Sequence, residues 1–424
     1  MDTKIKRILL SLFAVIIVCF TFFAGFFVGR SALDDDVETL NYIIKMYKKH
    51  YYEETDDIVG VIEDALLDIY SDYYTKEEYD IIKATSMGSR EGIGISYNVN
   101  NFEITQVLRN SPAANAGVKE GSIITHIGDN VDSLITADGK NVSDYLDNLP
   151  AYKDFILRVN YKGEIKDFTL SKQQYTQTFV SYYDNSGEYG FITKSGQMAF
   201  ERIGENTTYD LSTTTQTAVI KYTGFSGLGK GIEGSSGQFS TAMQKFAQSN
   251  MQYLILDLRD NGGGYMSILE EVSAHLIDAE KDSKNLISYA RYKDDKRDNF
   301  YSAKCKYSDY NYKKIVVLAN ENSASASEAL MGAMLDYDSN KIVNIILEGS
   351  ILNGETVYKS YGKGIMQSTY ERVTGEAIKL TTAKIFWPRS NISIHDVGLT
   401  PSLDPRILAE SSYGAVYDAV SLCK

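Results

Sequence analysis

Two stretches of this chain share one pattern, and it dictates the fold class. Met251–Leu258 is a near-continuous apolar run. It ends in Asp-Leu-Arg-Asp-Asn-Gly-Gly-Gly at 257–264, before a segment with Ile268, Leu269, Val272, Leu276 and Ile277 on one helical face. Ile315–Ala319 is a second apolar run, followed by the small-residue turn Glu-Asn-Ser-Ala-Ser-Ala-Ser-Glu at Glu321–Glu328 and a helical pattern reaching about Tyr337. Ile342–Leu347 adds a further strand. Strand, tight turn and helix in alternation predict an α/β layered core, whose reactive groups sit at the ends of strands.

The second turn sets a serine hydroxyl at a helix N-terminus, where free backbone N–H groups can hold an oxyanion. A nucleophilic serine needs a base. The chain has four histidines, His50, His126, His275 and His395, and none stands in a triad-like context. Downstream, Tyr361-Gly362-Lys363-Gly364-Ile365-Met366-Gln367 flanks a lysine with glycines, which let the backbone bend sharply and bring a buried amine close to another segment. Burial disfavours the ammonium form, so such a lysine can accept a proton. Ser325 with Lys363 is therefore a candidate dyad.

At 424 residues the chain has room for two or three domains. Its formal net charge is −13. Residues 1–30 carry +3 (Lys4, Lys6, Arg7 and Arg30 against Asp2), leaving −16 on the rest, which disfavours nucleic acid as a partner. Ile8–Val28 is a 21-residue stretch without a charge, about 31 Å long as a helix and enough to cross a bilayer core. Basic residues precede it and Asp34–Asp36 follow. The positive-inside rule thus predicts a single-pass anchor with residues beyond it outside the cell membrane. The run is long for a cleaved signal peptide, and no clear Ala-x-Ala site follows. The cysteines, Cys19, Cys305 and Cys423, suggest neither a metal site nor a disulfide framework, and no cofactor is expected.

Four regions follow: a cytoplasmic tip and anchor (1–30), a helical lead-in (31–88), a compact module (89–172) and a larger domain (173–424). In the lead-in, Leu40, Ile43, Ile44 and Tyr47, then Val61, Ile62, Ala65, Leu66 and Ile69, keep helical spacing, as a stalk would. In the module, Phe102–Leu108 and Ser122–Gly128 read as strands, Phe155–Leu170 as a hairpin through Tyr161–Glu164, and Ala113–Val118 and Val142–Leu149 as short helices. The stretch from there to about Gly204 is largely polar and reads as irregular. Asp257 and Arg259 read as structural polar groups at a strand end. The tyrosines at 70, 73 and 74 read as cover for core edges, and the Gly224–Gly237 loop, without a Gly-Lys-Ser/Thr ending, as a loop or lid rather than a phosphate site.

These motifs resemble those of the carboxy-terminal processing peptidases, or tail-specific proteases. Ile69–Tyr79 is similar to the family's lead-in, Glu91-Gly92-Ile93-Gly94-Ile95 and Ser111–Val118 to its PDZ domain, and the segments around Ser325 and Lys363 to its protease motifs, all in the family's order. The resemblance implies a ClpP/crotonase-like serine protease core joined to a PDZ domain and an N-terminal anchor. It makes Ser325 the nucleophile, Lys363 the general base and Gln367 the residue that orients the lysine from about one helical turn away. Ala326, Gly263 and Gly264 become the oxyanion hole. Gly92, Ile93, Gly94 and Ile95 become the site where a substrate's C-terminus adds as a strand. The implied partners are proteins or peptides with exposed C-terminal tails, the membrane through the N-terminal helix, and a second copy of the chain. Asp336 sits eleven helical residues beyond Ser325, about 16 Å away, too far for a triad, and is read as structural.

The chain departs from the family at Gly262, where proline is usual, at Gly121-Ser122 for Gly-Asp, at Pro401-Ser402-Leu403 for Pro-Asp-Ile, and in a stretch between Asn340 and Lys363 that is longer by about a dozen residues. A non-catalytic adaptor that binds tails is the rival reading. An acyl-CoA enzyme of the crotonase type shares fold alone.

Overall fold

The computed structural model describes residues 35–50, 58–86, 89–99, 101–138, 140–193, 197–202, 208–228, 234–352 and 354–424. The expected anchor, Ile8–Val28, lies outside them. Among the described residues no helix is long and apolar enough to cross a membrane. The chain divides into Met1–Leu67 and Asp68–Lys424. In the first unit, Asp35–His50 and Ile58–Leu66 are helices. The helical lead-in does not continue to residue 88: Asp72–Tyr74 is a strand, and only Lys76–Ser86 returns to helix. Asp72–Tyr74 pairs antiparallel with Ala377–Lys379, so a pairing some 300 residues away overrides the local pattern.

The larger domain is built on an eight-stranded sheet. Its strands are β1 (Val180–Asp184), β2 (Glu188–Ile192), β3 (Met198–Arg202), β4 (Thr217–Tyr222), β5 (Tyr253–Asp257), β6 (Lys314–Ala319), β7 (Val343–Leu347) and β8 (Ile407–Ala409), in the spatial order β3-β2-β1-β4-β5-β6-β7-β8. From β4 to β8 the pairing is parallel, and the first three strands add antiparallel. The antiparallel strands correct the irregular reading of the 173–204 stretch. Polar residues interrupt them, and their order comes from pairing along the sheet rather than from an apolar run.

Four helices cover the sheet: α1 (Ser235–Gln248), α2 (Met266–Ser273), α3 (Ala326–Tyr337) and α4 (Ala415–Leu422). The two-residue period of β6 divides its side chains between the faces. Ile315, Val317 and Ala319 pack in one core with Phe239, Leu269 and Leu330 of α1–α3, while Val316 and Leu318 pack with Ala419 and Val420 of α4. α2 ends at Ser273, earlier than the apolar spacing predicts. Leu276 and Ile277 keep the pattern and stay buried after the helix has stopped.

A second, five-stranded sheet carries the residues after Lys363. Ala377–Phe386 pairs with Asp72–Tyr74, Leu286–Tyr292 and Ile365–Glu371, and Leu286–Tyr292 pairs on with Arg297–Tyr301. The extra length before Lys363 includes a small hairpin, Ser350–Leu352 with Glu355–Val357.

The 89–172 module has its own core, which includes Ile104, Ile124, Ile127, Phe155, Leu157 and Val159. Its strands and short helices follow the expected ones: Ile104–Val107, Pro112–Ala116, Ile123–Gly128, Asn141–Asn148 and the hairpin Asp154–Tyr161 with Glu164–Ser171. Ser89–Gly92 pairs antiparallel with Gln173–Thr176, so the module leaves and rejoins the larger domain through one two-stranded neck.

Candidate active site

The C-terminal ends of β5 and β6 bring two turns together. At the end of β5, Asn261 is fully buried and acts as a hub. Its Nδ2 donates to the Tyr222 carbonyl (2.8 Å), its Oδ1 accepts the Gly263 N–H (3.0 Å), and its carbonyl accepts both the Ala324 N–H (3.0 Å) and the Ser327 hydroxyl (2.9 Å). The Ser323 hydroxyl donates to the Leu258 carbonyl (2.8 Å) and accepts the Asn320 N–H (2.9 Å). Two of the three serines in the run thus stitch the turns together. Ser325, between them, lines a cavity of about 330 Å³.

Ser325 has φ 56° and ψ −113° at the N-cap of α3. A non-glycine residue held there costs of order 1–3 kcal/mol, and such strain clusters at functional sites. The first amide of α3, on Ala326, follows directly. Gly263 (φ 93°) lies against this turn: a Cβ there would stand 2.6 Å from the Ala324 carbonyl oxygen and 2.7 Å from the Ala326 nitrogen. Gly264 is as tightly confined, with an added Cβ 2.0 Å from the Phe225 carbonyl oxygen. With the Gly263 N–H engaged by Asn261, Gly264 is the glycine of the pair that lines the cavity.

Lys363 lines the same cavity. Its two glycines allow close passage of the 395–398 segment. A Cβ on Gly362 (φ 92°) would stand 2.9 Å from the Gly398 nitrogen, and one on Gly364 would stand 2.6 Å from that of His395. Burial, then the nearby charge of Lys379, holds the Lys363 amine below the ordinary lysine range, with Asp68 and Glu328 pulling the other way. The Tyr70 ring covers it, with Nζ 4.7 Å from the ring centroid, and the Tyr70 hydroxyl donates to that of Tyr361 (3.3 Å). Tyr70, read as edge cover, thus lies over a candidate functional amine.

Gln367 also lines the cavity, but on a strand rather than a helical turn. A register irregularity falls between it and Met366, and its Nε2 donates to the Thr381 hydroxyl (3.2 Å). Met266, Phe300, Ile385, Trp387 and Ile394 give the cavity apolar walls. Asp336 lies elsewhere, where its Oδ2 accepts the N–H groups of Arg389 (2.8 Å) and Ser390 (3.0 Å). Asp257, fully buried, holds Arg259 and the Tyr209 hydroxyl at the end of β5. Among the described residues no group of three or more His, Cys, Asp or Glu could hold a metal ion.

One residue without a role in the sequence ties the site together. Glu328, in the first turn of α3, accepts N–H groups from both Ser325 and Lys363. The Ser325-x-x-Glu328 spacing is a capping-box signature and was the available signal. In the module, Ile93 is buried and its carbonyl accepts the Ala113 N–H. Gly94 (φ 75°) abuts Ser111, and Ile95 opens an edge strand, Ile95–Tyr97, in a two-stranded sheet with Ile104–Val107. Gly92 ends the neck strand.

Residues 216–404 match the family model described as peptidase family S41. Among curated proteins, the chain is 25% identical over 383 residues to a probable CtpA-like serine protease of Staphylococcus saprophyticus, covering 87% of this chain and 65% of the relative. A Staphylococcus epidermidis protein of the same description is 25% identical over 378 residues, with the same coverage. The chain therefore spans 65% of the length of these relatives. Among solved structures, the photosystem II D1 C-terminal processing protease aligns over 90% of this chain and 92% of its own, at 18% identity and a TM-score of 0.46.

Proposed function

We propose that this chain is a serine endopeptidase of the carboxy-terminal processing type that cleaves proteins selected by their C-terminal tails, a reading supported by the S41 match at residues 216–404 and by the likeness to CtpA-like serine proteases. One observation carries the reading: the strained Ser325 and the half-buried Lys363 line one cavity and share one carboxylate oxygen of Glu328.

Lys363, neutral, takes the proton of the Ser325 hydroxyl as Oγ attacks the scissile carbonyl carbon. The amides of Ala326 and Gly264 receive the oxyanion, with Gly263 holding the turn in place. Each such donor contributes about 3 kcal/mol to transition-state stabilisation. Collapse breaks the C–N bond, and Lys363 returns its proton to the leaving amine. Water then attacks the acyl-enzyme ester with Lys363 again as base. Gln367 orients the lysine from its strand. The apolar cavity walls favour an apolar side chain next to the cut.

The 89–172 module acts as a PDZ domain. Among the described residues its strand Ile95–Tyr97 pairs with Ile104–Val107 alone, which leaves its other side to an extended tail, and the Gly92–Gly94 segment receives the tail's carboxylate. The charge-free Ile8–Val28 run, with basic residues before it and acidic ones after, anchors the chain in the cell membrane and exposes the catalytic domain on the outer side.

The test is cleavage of an unstructured protein with an apolar C-terminus by the full chain in detergent. Ser325→Ala and Lys363→Ala are each expected to lower kcat/KM by about 10⁴-fold or more. Full activity of Ser325→Ala would remove the dyad. Tail binding without cleavage or labelling by a fluorophosphonate would favour the adaptor.

A further inference from the structure

Glu328 is fully buried, yet its carboxylate meets four hydrogen-bond donors. Oε2 accepts the backbone N–H of Ser325 (2.8 Å) and of Lys363 (2.9 Å). Oε1 accepts the backbone N–H of Gly362 (2.8 Å) and the Ser360 hydroxyl (2.5 Å). The Ser360 hydroxyl is itself oriented, because its oxygen accepts the Leu399 N–H (2.7 Å) and its proton is left for Glu328. An ionised carboxylate offers about four acceptor sites and no donor, which is what this shell of hydrogens requires.

The two turns that Glu328 joins have few other reasons to stay in register. Ser325 ends the loop after β6, whereas Lys363 precedes a strand of the second sheet. Among the described residues, a backbone hydrogen bond also joins them, from the Tyr361 N–H to the Ser323 carbonyl (3.1 Å). We propose that Glu328 is the positioning residue of the Ser325/Lys363 pair, one oxygen binding the amides of both residues and so fixing the distance from hydroxyl to amine. This rests on the Ser325/Lys363 reading of the site. The same bond holds the Ser325 amide, and with it the strained backbone that aims the hydroxyl into the cavity. Burial pushes the Glu328 carboxyl above its ordinary range, and its four donors pull it back. Protonation or amidation sets a hydrogen against a donor and opens the clamp.

The test compares wild type with Glu328→Gln and Ser360→Ala in the full chain. Glutamine keeps the shape but turns N–H groups toward donors, while Ser360→Ala removes one of the four bonds and leaves both amides of the pair held. Glu328→Gln is expected to lower kcat by about 10²-fold, the cost of a misplacement near 1 Å, with KM nearly unchanged. Ser360→Ala is expected to lose less than a tenth of that effect. Amide hydrogen exchange is the second readout, and it does not depend on catalysis. Ser325 and Lys363 amides are expected to lose protection together in Glu328→Gln while β5 and β6 keep theirs. Unchanged protection at both amides overturns the proposal, as does a kcat loss that merely tracks the folded fraction. If wild type neither cleaves nor labels, the dyad reading fails, and the exchange result still decides whether Glu328 joins the two turns. Should Glu328→Gln fail to fold, Glu328→Asp, whose carboxylate is shorter by one methylene, decides: joint loss of protection at the Ser325 and Lys363 amides supports the clamp, and unchanged protection at both overturns it.

Discussion

Gly262 and Gly263 are neighbours with opposite constraints. A Cβ on Gly262 meets open space, and its φ lies outside the left-handed region, so Gly262→Ala is expected to stabilise the protein by about 0.4–1 kcal/mol by restricting the unfolded chain. Gly263→Ala would drive a methyl to 2.6 Å from the Ala324 oxygen and 2.8 Å from the Ser325 Cβ at φ 93°. It is expected to destabilise by about 1–3 kcal/mol and to lower kcat by about 10²-fold, since the same atoms hold Ser325, the proposed nucleophile. Urea melts and steady-state kinetics on the two variants check this; equal behaviour would refute the role given to Gly263. The Ser325 turn was legible as a candidate because a small-residue run after an apolar stretch marks a strand end, and Lys363 through its two flanking glycines and the family resemblance. Glu328 was not, although it stands in the same octapeptide. Three of its four partners come from Ser360, Gly362 and Lys363, and no local pattern announces a contact 32 to 35 residues away.

Among the elements, the short strand Asp72–Tyr74 has an effect beyond its length. By pairing with Ala377–Lys379 it sets the preceding Tyr70 over Lys363, and the Thr381 N–H donates to the Ser71 hydroxyl (2.9 Å) to fix that approach. The ring acts on Lys363 in two opposed ways. Its π face attracts the ammonium, while its bulk keeps water away and favours the neutral amine. Burial is the leading cause that holds the Lys363 amine below the ordinary lysine range, and the Tyr70 ring over Nζ is part of that burial. In the folded protein Lys363 therefore binds its proton less tightly than in the unfolded chain, and its contribution to stability rises with pH through that interval. Activity is likewise expected to rise with pH, with a midpoint below that of a free lysine. Tyr70→Ala is expected to move this limb to higher pH and to cut activity severalfold at neutral pH, as a pH–rate profile would show. A limb that stays put or moves down would mean that the ring does not shield the base. Helical spacing concealed the strand, because three residues whose partner lies 300 residues away leave no period to read. Strands β5 and β6 were legible for the opposite reason: a parallel strand buried on both faces spells itself as an apolar run.

At the scale of the whole molecule, the neck decides how separable the module is. Ser89–Gly92 and Gln173–Thr176 form an antiparallel pair in which Gly92 faces Gln173. An antiparallel pair can be closed by a two-residue Asn-Gly turn, so residues 93–172 can in principle be replaced without breaking the neck. The module's buried residues form a cluster distinct from the two cores of the eight-stranded sheet. Its contacts with that sheet include the Asn110 amide donating to the Ile192 carbonyl (2.6 Å) and the Arg109 guanidinium 3.5 Å from the Phe191 ring centroid. These are exposed or half-buried polar attachments of the kind that contribute about 1 kcal/mol each, small against the burial within either core. The shortened chain is therefore expected to fold with a Tm within a few degrees of the full chain and to keep cleaving short unstructured peptides. If the module receives tails as proposed, a preference for a free C-terminal carboxylate over an amidated one is expected in the full chain and should disappear in the shortened one, because the strand Ile95–Tyr97 and the residues 93–94 before it would be gone. Paired assays with free and amidated tails decide the matter. A shortened chain that still discriminates would place tail recognition in the protease core. One that loses all cleavage while folded would mean that the module completes the site through Arg109 and Asn110, a coupling that its separate core gives no reason to expect.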